Sequence, residues 1–117
     1  MGFKTQDNAQ AHVKKVLAIL GDKWTGRVWH NHGCWHAAWQ WGSVTLYYEV
    51  YGNYYHALVG EPGGCGGHMD LTTDNRQADD PIAAIKLACD AAIEAIEQQW
   101  KPIMTSVSVV RLSLGAV

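Results

Sequence analysis

Residues 24–60 read WTGRVWHNHGCWHAAWQWGSVTLYYEVYGNYYHALVG, and through this stretch apolar and aromatic side chains alternate with period two. Period two is the signature of strands with one buried face. Turn residues divide the run. Gly42-Ser43 has glycine at the first central position, which suits a type II′ hairpin turn, and Gly52-Asn53 has the same character. His30-Asn31-His32-Gly33 can serve as a four-residue loop. These turns predict four antiparallel strands at 24–29, 34–41, 44–51 and 54–60. A two-residue loop at 42–43 pairs Trp41 with Val44, Trp39 with Leu46, Ala37 with Tyr48 and Trp35 with Val50. A two-residue loop at 52–53 pairs Val50 with Tyr55, Tyr48 with Ala57 and Leu46 with Val59. The first loop pairs Val28 with Trp35 and Trp24 with Trp39. All of these side chains fall on one face, and a one-residue slip would turn the whole set outward. This face is expected to be the buried one.

Upstream, Asn8 is a candidate cap for a helix over 8–20, with Gly21 as its stop. Val13, Val16, Leu17 and Leu20 form its apolar stripe. Downstream, residues 61–79 are glycine-rich and then polar, and read as a long loop. Asp80 caps a second helix with Pro81 at its first position, running over 80–100. Its expected stripe is Ile82, Ile85, Cys89, Ala92, Ile93, Ile96 and Trp100. Pro102 is expected to end it. The tail, 103–117, then holds a further strand candidate from Ser106 to Leu112. The sum is a single α+β domain over 1–117: a two-layer sandwich, helix–four-stranded antiparallel meander–helix, with both helices on the tryptophan face.

Composition bounds the function. The chain has 117 residues, 48% hydrophobic and 17% charged, which excludes wholesale disorder. A net charge of −2 and a pI near 6.3 argue against the clustered positive charge that nucleic acid requires. No apolar run reaches the ~18 residues of a membrane span, and Met1 to Asp7 lacks the apolar core of a signal peptide. Three cysteines without CxxC spacing fit a reduced, cytoplasmic chain.

The sheet's other face is the unusual one. The expected register sets Arg27, His36, Glu49 and His56 in one row across the strands. Trp29, Cys34, Tyr51 and Tyr54 form the next row, and Ala38, Tyr47 and Leu58 lie on the other flank. Such pairs stabilise a sheet by about 0.2–1 kcal/mol each, which is a sufficient structural role. A solvated face normally carries Thr, Lys, Glu and Ser, however, and Tyr and Trp are enriched at interfaces. The candidate binding residues are therefore Arg27, Trp29, His36, Tyr47, Glu49, Tyr51, Tyr54 and His56. Glu49 between two histidines is expected to raise the pKa values of His36 and His56.

Other chemistries find less support. His36, Glu49 and His56 are ligand types of zinc and iron sites, but the histidines are two strand spacings apart, about 9.6 Å. Cys34 and His36 project in parallel from alternate positions, which does not favour a thiol–imidazole pair. Gly60 to Gly67 lacks the Lys-Ser/Thr of a phosphate loop. The helix–strands–helix outline is that of a double-stranded RNA-binding domain, but the start of the second helix lacks its lysines. No catalytic residue, metal or cofactor is assigned. The expected activity is protein binding through the open aromatic face, with self-association of that face and the apolar tail into a homo-oligomer. The alternatives are a nucleotide-like ligand stacked on Trp29, Tyr47, Tyr51 and Tyr54, and a metal-dependent hydrolase.

The stretch from Trp35 through Tyr55-His56-Ala57-Leu58-Val59 to Asp80-Pro81-Ile82-Ala83-Ala84-Ile85 resembles a group of small bacteriophage proteins, the phage α/β sandwich family. The shared pattern is a Trp-bearing hairpin, a Tyr-x-Ala-x-Val strand and a closing helix opened by proline and small residues. It covers about residues 9 to 100; the histidine-rich first hairpin and the tail depart from it. The resemblance implies a phage or prophage accessory protein in the host cytoplasm. Such proteins bind a host protein, for example to inhibit a defence system such as a CRISPR complex or nucleotide signalling. It brings no catalytic residues.

Overall fold

The structure, a computed structural model, describes residues 3–60 and 77–115. Helix α1 spans Gln6–Leu20, and strands β1 Thr25–Asn31, β2 Cys34–Trp41, β3 Val44–Glu49, β4 Tyr54–Val59 and β5 Gln77–Ala78 precede helix α2, Pro81–Leu114. The strands form one antiparallel sheet in the order β1-β2-β3-β4-β5. Both helices pack on the tryptophan face, so the expected α+β sandwich is the observed architecture. Among the described residues, no helix is long and apolar enough to cross a membrane.

Helix α1 starts one turn earlier than expected. Thr5, not Asn8, is the cap: its hydroxyl accepts the Asn8 N–H at 3.1 Å. Gly21 stops the helix, at φ +102°, with its N–H on the Leu17 carbonyl at 2.8 Å. Val13 and Val16 are buried as expected, together with Ala9.

The faces of the sheet are as expected, but two of its three hairpins are shifted by two residues. Only the central hairpin keeps the expected pairs, Trp41↔Val44 and Trp39↔Leu46. In the first hairpin Val28 faces Ala37 and Asn31 faces Cys34, so the loop is His32-Gly33 rather than 30–33. Both loop residues have positive φ, +50° and +81°, as a type I′ turn demands. In the third, Glu49 faces Tyr54 and Leu46 faces Ala57, so residues 50–53 form a four-residue loop. The Glu49 carbonyl accepts the N–H groups of Gly52 (3.3 Å) and Asn53 (2.8 Å), which holds that wider turn closed. Strand β5, Gln77–Ala78, pairs with β4 where a loop was expected. The rest of that expected loop, 61–76, lies outside the described residues.

The largest correction concerns α2. Asp80 caps it as expected, accepting the Ala83 N–H at 2.9 Å. The helix then continues through Pro102 to Leu114, and the strand expected at Ser106–Leu112 is helical. Proline removes one N–H and leaves the Gln98 carbonyl without its helical donor. That carbonyl belongs to an exposed turn, where water can serve it. The docking face also differs. The buried residues of α2 are Pro81, Ala84, Ala88 and Ala92, small groups that let the helix lie close on β4. Ile93, Ile96 and Trp100, expected in the core, are exposed.

Trp39 is the centre of the core. It is fully buried between α1 and the sheet, and its indole N–H donates to the Val13 carbonyl at 3.2 Å. Beside it, α1 passes so close to β1 that a Cβ on Gly26 would overlap Val13 Cγ1 and lie 3.3 Å from Trp39. Trp39→Ala should therefore cost about 3–5 kcal/mol in urea melts, and Gly26→Ala about 1–3 kcal/mol by overpacking. A loss below about 1 kcal/mol for Trp39→Ala would place the core elsewhere.

Candidate binding face

Both helices are committed to the inner face, so the outer face is built from the sheet's own side chains. The register sets Arg27 opposite Ala38, Ala38 opposite Tyr47, Tyr47 opposite His56, and His56 opposite Gln77. A second row has Trp29 opposite His36 and, beyond the end of the β2–β3 ladder, Glu49 opposite Tyr54. The expected row of Arg27, His36, Glu49 and His56 is thus split in two. All four remain on one face because the slips are by two residues each.

The split brings flat groups together in stacks. The Arg27 guanidinium lies 5.0 Å from the Trp29 ring centroid, a cation–π distance. Trp29 in turn stacks on His36 at 5.3 Å with 14° between the planes. On the other side Tyr47 stacks on His56 at 5.3 Å and 18°, and Tyr54 tilts against His56 at 6.1 Å. Ala38, between the Arg27 and Tyr47 side chains in its row, is fully buried, so its larger neighbours close over it.

At the hairpin end the groups are polar. Cys34 Sγ is 3.5 Å from His36 Nε2 and 3.7 Å from the Tyr51 hydroxyl. Cys34 and His36 thus touch, although parallel projection disfavoured it. His36 Nε2 is also 3.0 Å from the Asn31 carbonyl oxygen. A carbonyl only accepts, so that nitrogen carries the proton and cannot take one from the thiol. Glu49 spends one carboxylate oxygen on the Tyr51 N–H at 3.2 Å. The hydrogen bond with Cys34, then desolvation and nearby Glu49, push the Tyr51 phenol above its usual pKa. His36, Glu49 and His56, the trio with metal-ligand side chains that the sequence did not favour as a site, are not gathered. Among the described residues no group of three or more His, Cys, Asp or Glu is placed to hold a metal ion.

His56 departs from expectation in sign. Burial pushes its imidazole below the ordinary value, and Glu49 only partly opposes this. Burial is the larger effect, and the shifted hairpin sets Tyr54, not His56, opposite Glu49. Among the described residues His56 Nδ1 is buried without a hydrogen-bond partner, so a second proton would find no acceptor among them. A second half-buried imidazole went unread in the sequence. His12 of α1 meets the Tyr55 hydroxyl at 2.8 Å inside a ring cluster with Phe3, Tyr48 and Trp39. Desolvation, then Lys15, lowers its pKa, and desolvation pushes Tyr55 up to about 12. The signal for it was the helical spacing of Ala9, His12 and Val16.

No protein-family model, characterised protein or solved structure matches this chain. The reading of the outer face therefore rests on its geometry.

Lowered histidine values make stability depend on pH. A histidine that resists protonation when folded leaves the unfolded chain the better proton binder. Its stabilisation is complete above the unfolded value of about 6.5 and is lost as pH falls through the folded value. His12 and His56 act in the same direction. Urea midpoints should therefore drop between about pH 7.5 and 5.5, and His56→Phe should flatten part of the drop. Glu49→Gln should lower the His56 pKa further in an NMR titration. A rise on that substitution would contradict the arrangement.

Proposed function

We propose that the chain is a non-enzymatic binding protein that docks a protein partner on its outer sheet face. One observation supports this above the others: the side not used by the helices carries Arg27, Trp29, His36, Tyr47, Tyr54 and His56 as pairwise stacks. Arginine, tryptophan and tyrosine are the side chains that most often dominate binding energy. Stacking fixes their rotamers before contact, so docking loses little side-chain entropy. Glu49 and Tyr51 at the hairpin end supply a polar rim. The finer reading, a phage or prophage accessory protein acting on a host protein in the cytoplasm, follows from the family resemblance.

A nucleotide-like ligand fits less well. His36 and Arg27 lie against Trp29 and His56 covers one face of Tyr47, which leaves less ring surface for a base to stack on. Quantitative pull-downs from bacterial lysate decide between the readings. A protein retained by the wild type should be retained on the order of 30-fold less by Arg27→Ala or Trp29→Ala, as for truncation of a hot-spot residue. Urea midpoints show whether each variant is folded. Equal retention by folded variants, or a thermal shift with nucleotide that these variants lose, would refute protein docking on this face.

A further inference from the structure

The C-terminal part of α2 leaves the domain. The chain measures 68 × 27 × 23 Å with a radius of gyration of 18.8 Å, against about 13 Å for a compact chain of this length. From Ile93 to Gly115 almost every residue is exposed. The apolar ones are not scattered. Ile93, Ile96, Trp100, Ile103, Val107, Val110 and Leu114 recur at spacings of three and four throughout. This is a heptad repeat with Ile93, Trp100, Val107 and Leu114 at the a positions and Ile96, Ile103 and Val110 at d. No polar residue interrupts the seam. Pro102 falls at a c position, on the outer side. The seam is turned by about 80° around the axis from the face that docks on the sheet, at 100° per residue.

Left alone in water this segment is a poor helix. Residues 93–114 contain seven β-branched side chains and a proline. Both classes lower helix propensity, and helices of this length draw most of their stability from packing. The seam side chains are 40% to 75% exposed within one protomer. Covering them in two copies removes on the order of 1,500 Å² from water, the size of a stable protein interface.

We propose that this half of α2 assembles with the same segment of other copies of the chain, as a coiled coil. A seam that is apolar at every a and d position is complementary to itself, and an identical helix supplies the knobs and holes in register. β-branched residues at all three d positions favour three or four strands over two. A membrane surface is a poorer occupant. Helices that lie on lipid carry an excess of Lys and Arg on their polar face. This segment has Glu94 and Glu97 against Lys101 and Arg111, with no excess. The proposal is independent of the sheet-face reading, because the seam shares no residue with that face.

The test is the mass of the full chain by size-exclusion chromatography with light scattering, from low to high micromolar concentration. The wild type should run at a multiple of 12.9 kDa, three or four protomers by the d-position rule. Ile103→Asp with Val107→Asp should reduce it to one. Val109→Asp with Leu112→Asp should leave it assembled, since these residues are as exposed and as apolar but lie off the seam. Because all four side chains are exposed, the domain itself should keep its urea midpoint in dilute solution, which checks folding. Assembly that disappears only in the seam variant supports the coiled coil, whatever the number of strands. A monomer at every concentration, or an assembly that survives the seam variant, overturns it. So does loss in both variants, which would mean unspecific apolar clustering. A wild-type monomer that gains helix only with phosphatidylcholine–phosphatidylglycerol vesicles would assign the seam to lipid and also overturn it.

Discussion

The hydrogen bond from the Trp39 indole to the Val13 carbonyl sets the geometry on which the rest depends. It ties the middle of α1 to the middle of β2 in a region closed to water, where an unpaired indole N–H would be costly. Gly26 lets α1 come down onto β1, and the alanines of α2 let the second helix come down beside it on β4. With one face of the sheet covered in this way, the period-two pattern leaves no choice for the other residues. Arg27, Trp29, His36, Tyr47, Glu49, Tyr54 and His56 must face outward, and the stacked surface is a consequence of how the core is closed.

The faces of this sheet and the pairs of its central hairpin were legible in the sequence, while the pairings of the two outer hairpins were not. Inner positions such as Val28, Ala37, Tyr48 and Ala57 are interchangeable apolar groups, so a shift of two residues leaves the hydrophobic pattern intact. The register was set instead by backbone conformation at the turns. His32 accepts a left-handed conformation beside Gly33, which shortens the first loop, and the Glu49 carbonyl gathers two N–H groups, which lengthens the third. Neither feature shows in residue type with enough strength to decide. The candidate strand residues accordingly lie on the expected face, with neighbours other than the expected ones. Trp29 stacks on His36, and Tyr47 on His56, where the sequence pointed to a charged row. The sign of the His56 shift differs from expectation because burial outweighs Glu49.

Helix α2 shows the opposite weighting of signals. Pro102 and the run Val107, Val109 and Val110 pointed locally to a helix end followed by a strand. Yet the spacing of three and four that continues from Ile93 to Leu114 crosses the proline without a break, and that longer pattern describes the observed helix. Side-chain hydroxyls help at single points: Thr105 and Ser113 donate to the Lys101 and Val110 carbonyls at 2.9 and 2.7 Å. Such bonds do not make a lone helix stable in water. The effect of a proline is confined to one turn, and in the proposed coiled coil packing energy would accumulate along the whole seam.

The two surfaces of this chain are physically separate, and the proposed assembly would make use of that separation. The sheet face is built on strands held by Trp39, and the heptad seam begins where α2 leaves that domain. A helix of 34 residues is about 51 Å long, so copies joined along its far half need not bring their sheets into contact. The proposed coiled coil of several copies would then carry several identical aromatic faces. A partner with more than one binding site would be held at high effective concentration after its first contact. Linked binding of this kind raises avidity by a factor of about 10² to 10⁴ without any new contact. The single face needs only modest affinity under these conditions. A small stacked patch of half-buried rings, with few free charges, can supply that from a domain of this size.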